Sequence, residues 1–463
     1  MEDLTIEEII ELTNGEFRGD KKCLIKRPSG ITIDSRNIAT GEIFFALQGQ
    51  TTDGHYFVEE ALGMGAIAAV IERRNTIPSG PVIIVEDTLA SLGSLAQGYR
   101  KRFDIQVIGI TGSTGKTTVK EMAVAVLGDY FNLHATPGNY NNLIGLPLTV
   151  LGLKKRHDVA VIEMGMNRPG EIRRLSEIAQ PTIGLVTNAG SAHLEFFREP
   201  VEVAQAKGEL LEYLDVDSIA IINHDDELLK TQRSRIRGRM VSFGLGEGSD
   251  YQGRILHRNK NGCVTFGIED QVITLSLAGR HNVYNALAVY AAGRVLGLNS
   301  HQIKEGFNRV KPVSLRMELL TVGELHIIND AYNANPDSMK AAFEVLGTIE
   351  PEKGGRRYAV LGDMLELGTV SRKEHYALGE LTASLELSGV FLFGEQMVHT
   401  AEGALAGGMP EEKIHYFYDI DDLCESLINK IQKEDIILVK GSRGMRMERV
   451  VEYLKESTRI RRY

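Results

Sequence analysis

Short apolar runs punctuate the chain, and a polar or glycine-containing stretch follows each of them. They fall at Ile43–Leu47, Ala66–Ile71, 105–110, Val159–Ile162, Ile183–Val186, Ile219–Ile222, Ala359–Leu361, Val390–Phe393 and Ile436–Val439. Runs this apolar predict strands buried on both faces rather than strands with one wet side. Between them, apolar residues return at helical spacing, as in Val119, Met122, Ala123, Val126 and Leu127. A short acidic amphipathic helix opens the chain, and another helix is predicted over 89–103. Strands alternating with helices predict parallel α/β sheets, which bind ligands at the carboxyl ends of their strands. No segment repeats at a fixed short period.

Length divides this pattern. At 463 residues the chain is too long for one hydrophobic core. Three regions are expected: 1–85, closing after the turn-rich Pro78-Ser79-Gly80-Pro81; 86–312, opening with the 89–103 helix; and 313–463, beginning after a helix that ends near Arg309. The 48 glycines cluster behind apolar runs, as tight strand-to-helix turns require. A net charge of -10, with no basic stripe beyond the tail Arg459, Arg461 and Arg462, argues against nucleic-acid binding. An anionic substrate must then be held by a local site. Cys23, Cys263 and Cys424 are too far apart for a metal-type or redox-type pair and read as reduced structural thiols. The acidic N-terminus and the lack of a long apolar run predict a cytoplasmic protein without membrane insertion.

The chemistry starts behind the run at 105–110, in Gly112-Ser113-Thr114-Gly115-Lys116-Thr117-Thr118. Strand, glycine loop, lysine, threonine and amphipathic helix is the order a phosphate cradle needs: backbone N–H groups approach the phosphates and the helix N-terminus favours negative charge. Lys116 can reach the outer phosphates of ATP, and the Thr117 hydroxyl can ligate Mg2+. The general pattern places a glycine six residues before the lysine, but Ile110 stands there, so this loop is shorter. Glu163 ends a buried run and would enter the same crevice as a magnesium ligand, although a strand-end glutamate serves as readily as a surface residue or cap. His193 belongs to a type that magnesium does not favour, and a local reading makes Lys207 a solvated helix lysine. Asn282 and Asn285 share a helix face at i, i+3 and could read a base edge or simply cap. The polar stretches Asp330–Ser338 and Lys440–Arg443 follow buried strands, which favours binding.

In order along the chain, these stretches resemble the Mur ligases, ATP-dependent amide-forming enzymes of peptidoglycan precursor synthesis. The resemblance runs through Asp34-Ser35-Arg36, Gly41–Leu47, Asp53-Gly54-His55, Thr111–Thr117, Gly138–Gly145, Arg316, Asp330–Pro336, Leu361–Gly368 and Lys440–Arg443. The family's shortened phosphate loop accounts for Ile110. The resemblance implies an α/β fold of three domains: a small α/β N-terminal domain for a UDP-muramoyl-peptide, a central phosphate-loop ATPase-type parallel-sheet domain, and a C-terminal Rossmann-like domain for D-alanyl-D-alanine and part of ATP. It implies Thr117, Glu163, His193 and a commonly carbamylated Lys207 around magnesium, and Lys116, Lys207, His193 and Arg316 as catalytic. It places Gly112 to Thr118, Asn282, Asn285, Arg316 and Asp330 on ATP. Substrate positions are Ser35, Arg36, Asn139, Asn142, Tyr332, Asn333, Asn335, Lys440, Ser442 and Arg443. The Tyr332–Pro336 stretch resembles family members that add D-alanyl-D-alanine to UDP-N-acetylmuramoyl-tripeptide, and no Asp-Asn-Pro-Arg stretch of the diaminopimelate-adding relative occurs. Another ligase of this family, a folylpolyglutamate ligase, or a phosphate-loop regulatory ATPase are the alternatives. The expected state is a monomer.

Overall fold

A computed structural model describes residues 1–49, 51–74, 78–191, 194–352 and 354–460. These residues form three sheets. The first has five strands in the order Glu16–Arg18, Val82–Val85, Ala68–Glu72, Ile43–Phe45 and Ile31–Thr32, parallel except for Glu16–Arg18. The second has nine, and its parallel portion runs Arg239–Gly244, Ile219–Asn223, Ile183–Val186, Gln106–Thr111, Val159–Glu163 and Leu133–Ala135. Every residue of Val159–Glu163 and of Ile183–Val186 is buried, because helices cover both faces of a parallel sheet.

Strand Gln106–Thr111 lies between Ile183–Val186 and Val159–Glu163, where the strand order reverses. Such a switch point opens a crevice at the carboxyl ends. Topology therefore delivers the loop after Thr111, the carboxylate of Glu163 and the segment after Val186 to one edge.

The alternation of strands and helices did not foretell how this sheet ends. Tyr251–Arg258 joins in parallel, and Cys263–Ile268 and Gln271–Ala278 extend it antiparallel. Their burial alternates, as in Gln271–Ala278, where residues 273, 275 and 277 are inward. One wet face suits hairpins and does not produce an unbroken apolar run.

The third sheet has six strands in the order Glu318–Val322, Leu325–Asp330, Ile436–Lys440, Arg357–Gly362, Gly389–Phe393 and Ile414–Phe417. Only the hairpin Glu318–Asp330 is antiparallel. Its order also reverses around Ile436–Lys440, so the loops after Asp330, Gly362 and Lys440 share one edge.

The sheets are joined in two ways. Helix Thr88–Arg100 carries Leu92, Leu95, Ala96 and Tyr99 into one continuous apolar cluster with Ile6, Ile9, Val70 and Ile83 on one side and Leu146, Val150, Ile172 and Ile178 on the other. The Tyr99 hydroxyl accepts from Glu2 N–H at 2.7 Å and donates to the Leu153 carbonyl at 2.8 Å. Arg100, itself buried, donates to the carbonyls of Ala179 (3.0 Å) and Phe103 (2.5 Å). Toward the third sheet the contacts are mostly polar. Ser191 N–H donates to Asp337 (2.7 Å), Glu195 N–H to the Glu366 carbonyl (2.9 Å), Arg258 pairs with Glu344 (3.3 Å) and Lys260 with Glu352. Among the described residues no helix is long and apolar enough to cross a membrane.

Candidate active site

The carboxyl ends of the second and third sheets enclose a cleft of about 1080 Å³. Strand Gln106–Thr111 enters it and turns into helix Lys116–Leu127, whose apolar face (Val119, Met122, Val126) is buried as its spacing requires. Gly115 sits at φ +82°, and a Cβ there would collide with the side-chain oxygen of Asn285. Only glycine lets the loop lie against that helix. Lys116 donates to the Gly112 carbonyl at 2.6 Å and faces the cleft. Burial lowers the pKa of its ammonium; Glu163 opposes this, and Arg316 from the far wall lowers it further. Two cations from different sheets thus share a space suited to a polyanion.

Glu163 is buried at 1% exposure. Its Oε1 accepts from Thr117 (3.1 Å) and from Asn141 (2.7 Å), while Oε2 is buried without a partner. A carboxylate oxygen left dry and unpaired beside a hydroxyl fits a hard divalent cation. Glu163 and Thr117 would hold such a cation together with substrate phosphates, as magnesium is commonly held. Lys207 is not solvated: it is buried at 1% exposure on helix Pro200–Tyr213. Burial first, and then Lys116, hold its pKa well below the ordinary lysine value. His193 lies outside the described residues.

The segment after Val186 braces the phosphate loop. Thr114 N–H donates to Asn188 Oδ1 (2.9 Å), Asn188 Nδ2 to Thr114 Oγ1 (3.0 Å), and the Thr187 hydroxyl to the Thr114 carbonyl (2.7 Å). Ser113 Oγ donates to the Gly190 carbonyl (3.1 Å) and accepts from its N–H (2.8 Å). Asp226 accepts from Ala189 N–H (2.7 Å). Asn282 and Asn285 line the cleft but also serve the protein. Asn282 donates to the Ala278 carbonyl (2.7 Å) and Asn285 to Asn282 (3.0 Å).

On the opposite wall, the Arg316 guanidinium lies 3.9 Å from the Tyr332 ring centroid, and that of Arg443 5.7 Å from it. A tyrosine held between two cations gains from the negative face of its ring. Arg316 is flanked by Leu315 at φ +63° and Met317 at φ +49°, left-handed positions that side chains seldom adopt. Asp330 accepts from Met317 N–H (3.0 Å) and from buried Lys440 (2.5 Å), and Lys440 also donates to the Asn333 carbonyl (2.9 Å). Ser442 donates to the Ala334 carbonyl (3.3 Å) and accepts from Leu365 N–H (2.8 Å). Asn335 caps helix Pro336–Thr348, accepting from Ser338 N–H at 2.8 Å. All six of Tyr332, Asn333, Asn335, Lys440, Ser442 and Arg443 line the cleft, and Lys440, Ser442 and Asn335 also fix the shape of the loop.

Asn139 lines the cleft, while Asn142 accepts from Ile144 and Gly145 N–H groups (3.1 and 2.8 Å) at the start of a helix. The structure does not bring Ser35 and Arg36 to this cleft. Ser35 is buried, and exposed Arg36 pairs with Asp34 through two bonds of 2.8 and 2.9 Å. Asn141, Asn188, Asp226 and Asp337 were not singled out in the sequence. For Asn188, Asp226 and Asp337, positions just behind buried strands or in a helix's first turn were the available signal, and Asn141 had only its place in the stretch Gly138–Gly145.

Comparison with known proteins agrees along the length of the chain. Residues 27–100 match the Mur ligase family catalytic domain, 110–293 the Mur ligase middle domain, and 315–443 the Mur ligase glutamate ligase domain. The UDP-N-acetylmuramoyl-tripeptide–D-alanyl-D-alanine ligase of Bacillus subtilis is 38% identical over 92% of this chain and 93% of that protein. A crystal structure of MurF from Acinetobacter baumannii is similar at a TM-score of 0.89 and 32% identity, covering 98% of this chain and 99% of that one. MurF ligase from Thermotoga maritima in complex with ADP gives 0.83 at 30% identity, covering 93% and 98%.

Proposed function

The chain belongs to the Mur ligase family, and from that premise we propose that it joins D-alanyl-D-alanine to UDP-N-acetylmuramoyl-tripeptide, in the cytoplasm and as a monomer. It is an ATP-dependent ligase that forms a C–N bond. The observation that supports this reading best is a single cleft lined by Lys116 of the phosphate loop and by Arg316 from the third sheet's side.

The terminal carboxylate of the tripeptide attacks the γ-phosphorus of ATP, releasing ADP and leaving an acyl phosphate. The dipeptide amine then attacks the acyl carbon, and the tetrahedral adduct loses phosphate to leave the amide. A carboxylate must approach a polyphosphate, so Lys116 and Arg316 offset a repulsion that grows where water is excluded. Thr117 and Glu163 would hold magnesium, whose charge would neutralise phosphate oxygens. Buried Lys207 is an amine with depressed basicity, and addition of carbon dioxide would make it an anion suited to a site rich in cations. Asn282 and Asn285 lie on the adenine side. The Asp330 carboxylate has lone pairs left for a ribose hydroxyl. Tyr332, Asn333 and Arg443 face the dipeptide, and Ser35 and Arg36 belong to the distal UDP end. Holding three substrates in line supplies much of the rate.

ADP release measured with UDP-N-acetylmuramoyl-tripeptide and D-alanyl-D-alanine, together and singly, tests the reading. Turnover is expected only when both are present. Release that ignores either one would sink it.

A further inference from the structure

We infer that Asp337 is a positioning residue that couples docking of the C-terminal sheet to the phosphate loop through the segment Asn188–Ser191; this rests on the ligase reading only in requiring Lys116 and Arg316 to act on one nucleotide. Three successive backbone N–H groups in that segment are each held by a side-chain oxygen from a different element. Ala189 is held by Asp226 (2.7 Å), Gly190 by Ser113 of the phosphate loop (2.8 Å), and Ser191 by Asp337 of the C-terminal sheet's domain (2.7 Å). Gly190 makes the layer possible. A Cβ there would collide with the Asp337 carboxylate and stand 3.8 Å from the Ser113 Cβ.

Asp337 occupies the first turn of helix Pro336–Thr348, directly after the Tyr332–Asn335 loop. The same bond that seats this helix on the central sheet thereby fixes where Tyr332, and Arg316 stacked on it, stand relative to Lys116. A carboxylate in a cleft built for polyanions repels them. Its retention is understandable when its charge is committed elsewhere: a charged acceptor makes the stronger hydrogen bond, and the helix N-terminus stabilises the anion. The competing role for an acid here is proton removal from the incoming amine.

Asp337→Ala is expected to lower kcat by about 10- to 100-fold while ADP affinity, measured calorimetrically without other substrates, stays within about 3-fold. Asp337→Asn still offers Ser191 an oxygen and should keep about a third or more of kcat with an unchanged pH profile. Equal collapse of both variants would overturn the positioning role and assign proton transfer. Gly190→Ala should match Asp337→Ala, and the double variant should lose no more than either single one, because one contact is being removed twice; multiplied losses would overturn the shared route. With ADP bound, the radius of gyration from small-angle scattering should rise for Asp337→Ala but not for Asp337→Asn. That readout stands whatever the peptide substrate, and equal radii for all three proteins would also overturn the inference.

Discussion

The first and second sheets are joined by a shared apolar core; the second and third are joined by hydrogen bonds, ion pairs and a cleft. Leu92, Leu95 and Tyr99 are fully buried between two sheets, so separating those sheets exposes apolar surface at roughly 25 cal/mol per Å². Across the other junction Arg258–Glu344 and Lys260–Glu352 are partly exposed pairs that water can replace. Among the described residues, Ala278 is the one buried central residue in the third sheet's core cluster, and Leu194 packs against that cluster. The difference teaches where motion is cheap. The N-terminal sheet shares one continuous core with the central sheet, whereas the C-terminal sheet is held by contacts that cost less to break, the arrangement that domain closure around substrates would use.

The comparison can be broken at four points. Arg316→Ala removes a charge that only the polar junction supplies, and kcat is expected to fall about 100- to 1000-fold with the unfolding temperature unchanged; a large thermal shift would mean that this junction is structural. Leu95→Ala should do the opposite, costing about 2–5 kcal/mol of stability by denaturant titration while turnover per folded molecule is retained. Loss of turnover in fully folded protein would show that the platform is not passive. Asn141→Ala frees Glu163 to turn, and the magnesium concentration giving half-maximal ADP release is expected to rise about 10-fold. An unmoved magnesium profile would leave Asn141 a mere loop residue. Smallest of all, Lys260→Ala should leave the denaturant midpoint where it is, because water replaces an exposed pair, and change kcat by less than about 2-fold. A fall in that midpoint or a greater loss of kcat would make this surface pair part of the docking.

The sequence made the parallel sheets legible because strands buried on both faces leave runs such as Val159–Ile162 with no polar interruption. It made the phosphate loop legible because that geometry is local. The antiparallel extension through Gln271–Ala278 was missed because half of its residues face water and break the run. The local reading of Lys207 as solvated failed for another reason: solvation was read from residue type. Val203, Ala204, Leu210 and Leu211 are buried at helical spacing around it, which placed it on the inward face had the periodicity been weighed above its charge. Asp337 lay within the polar stretch Asp330–Ser338 that was read as binding, but its partner could not be found locally, since Ser191 is 146 residues away. Ser35 and Arg36 were expected, on resemblance, in the N-terminal region that holds the UDP-muramoyl end, and they lie apart from the cleft in that region.

Leu315 and Met317, in left-handed backbone on either side of Arg316, carry a further consequence for anyone redesigning this enzyme. Each such position costs on the order of 1–3 kcal/mol and persists only where its surroundings overrule it. Here they do: the Leu315 carbonyl accepts from Tyr332 N–H at 3.1 Å, and Met317 N–H donates to Asp330 at 3.0 Å. Glycine would adopt either position without strain, but Met317 is buried in the third sheet's core cluster and Leu315 packs against a neighbouring one, so relieving the strain this way would forfeit their burial. The same change would widen the arc through which the guanidinium swings, so the strained backbone and the packing that enforces it serve the aim of Arg316 together.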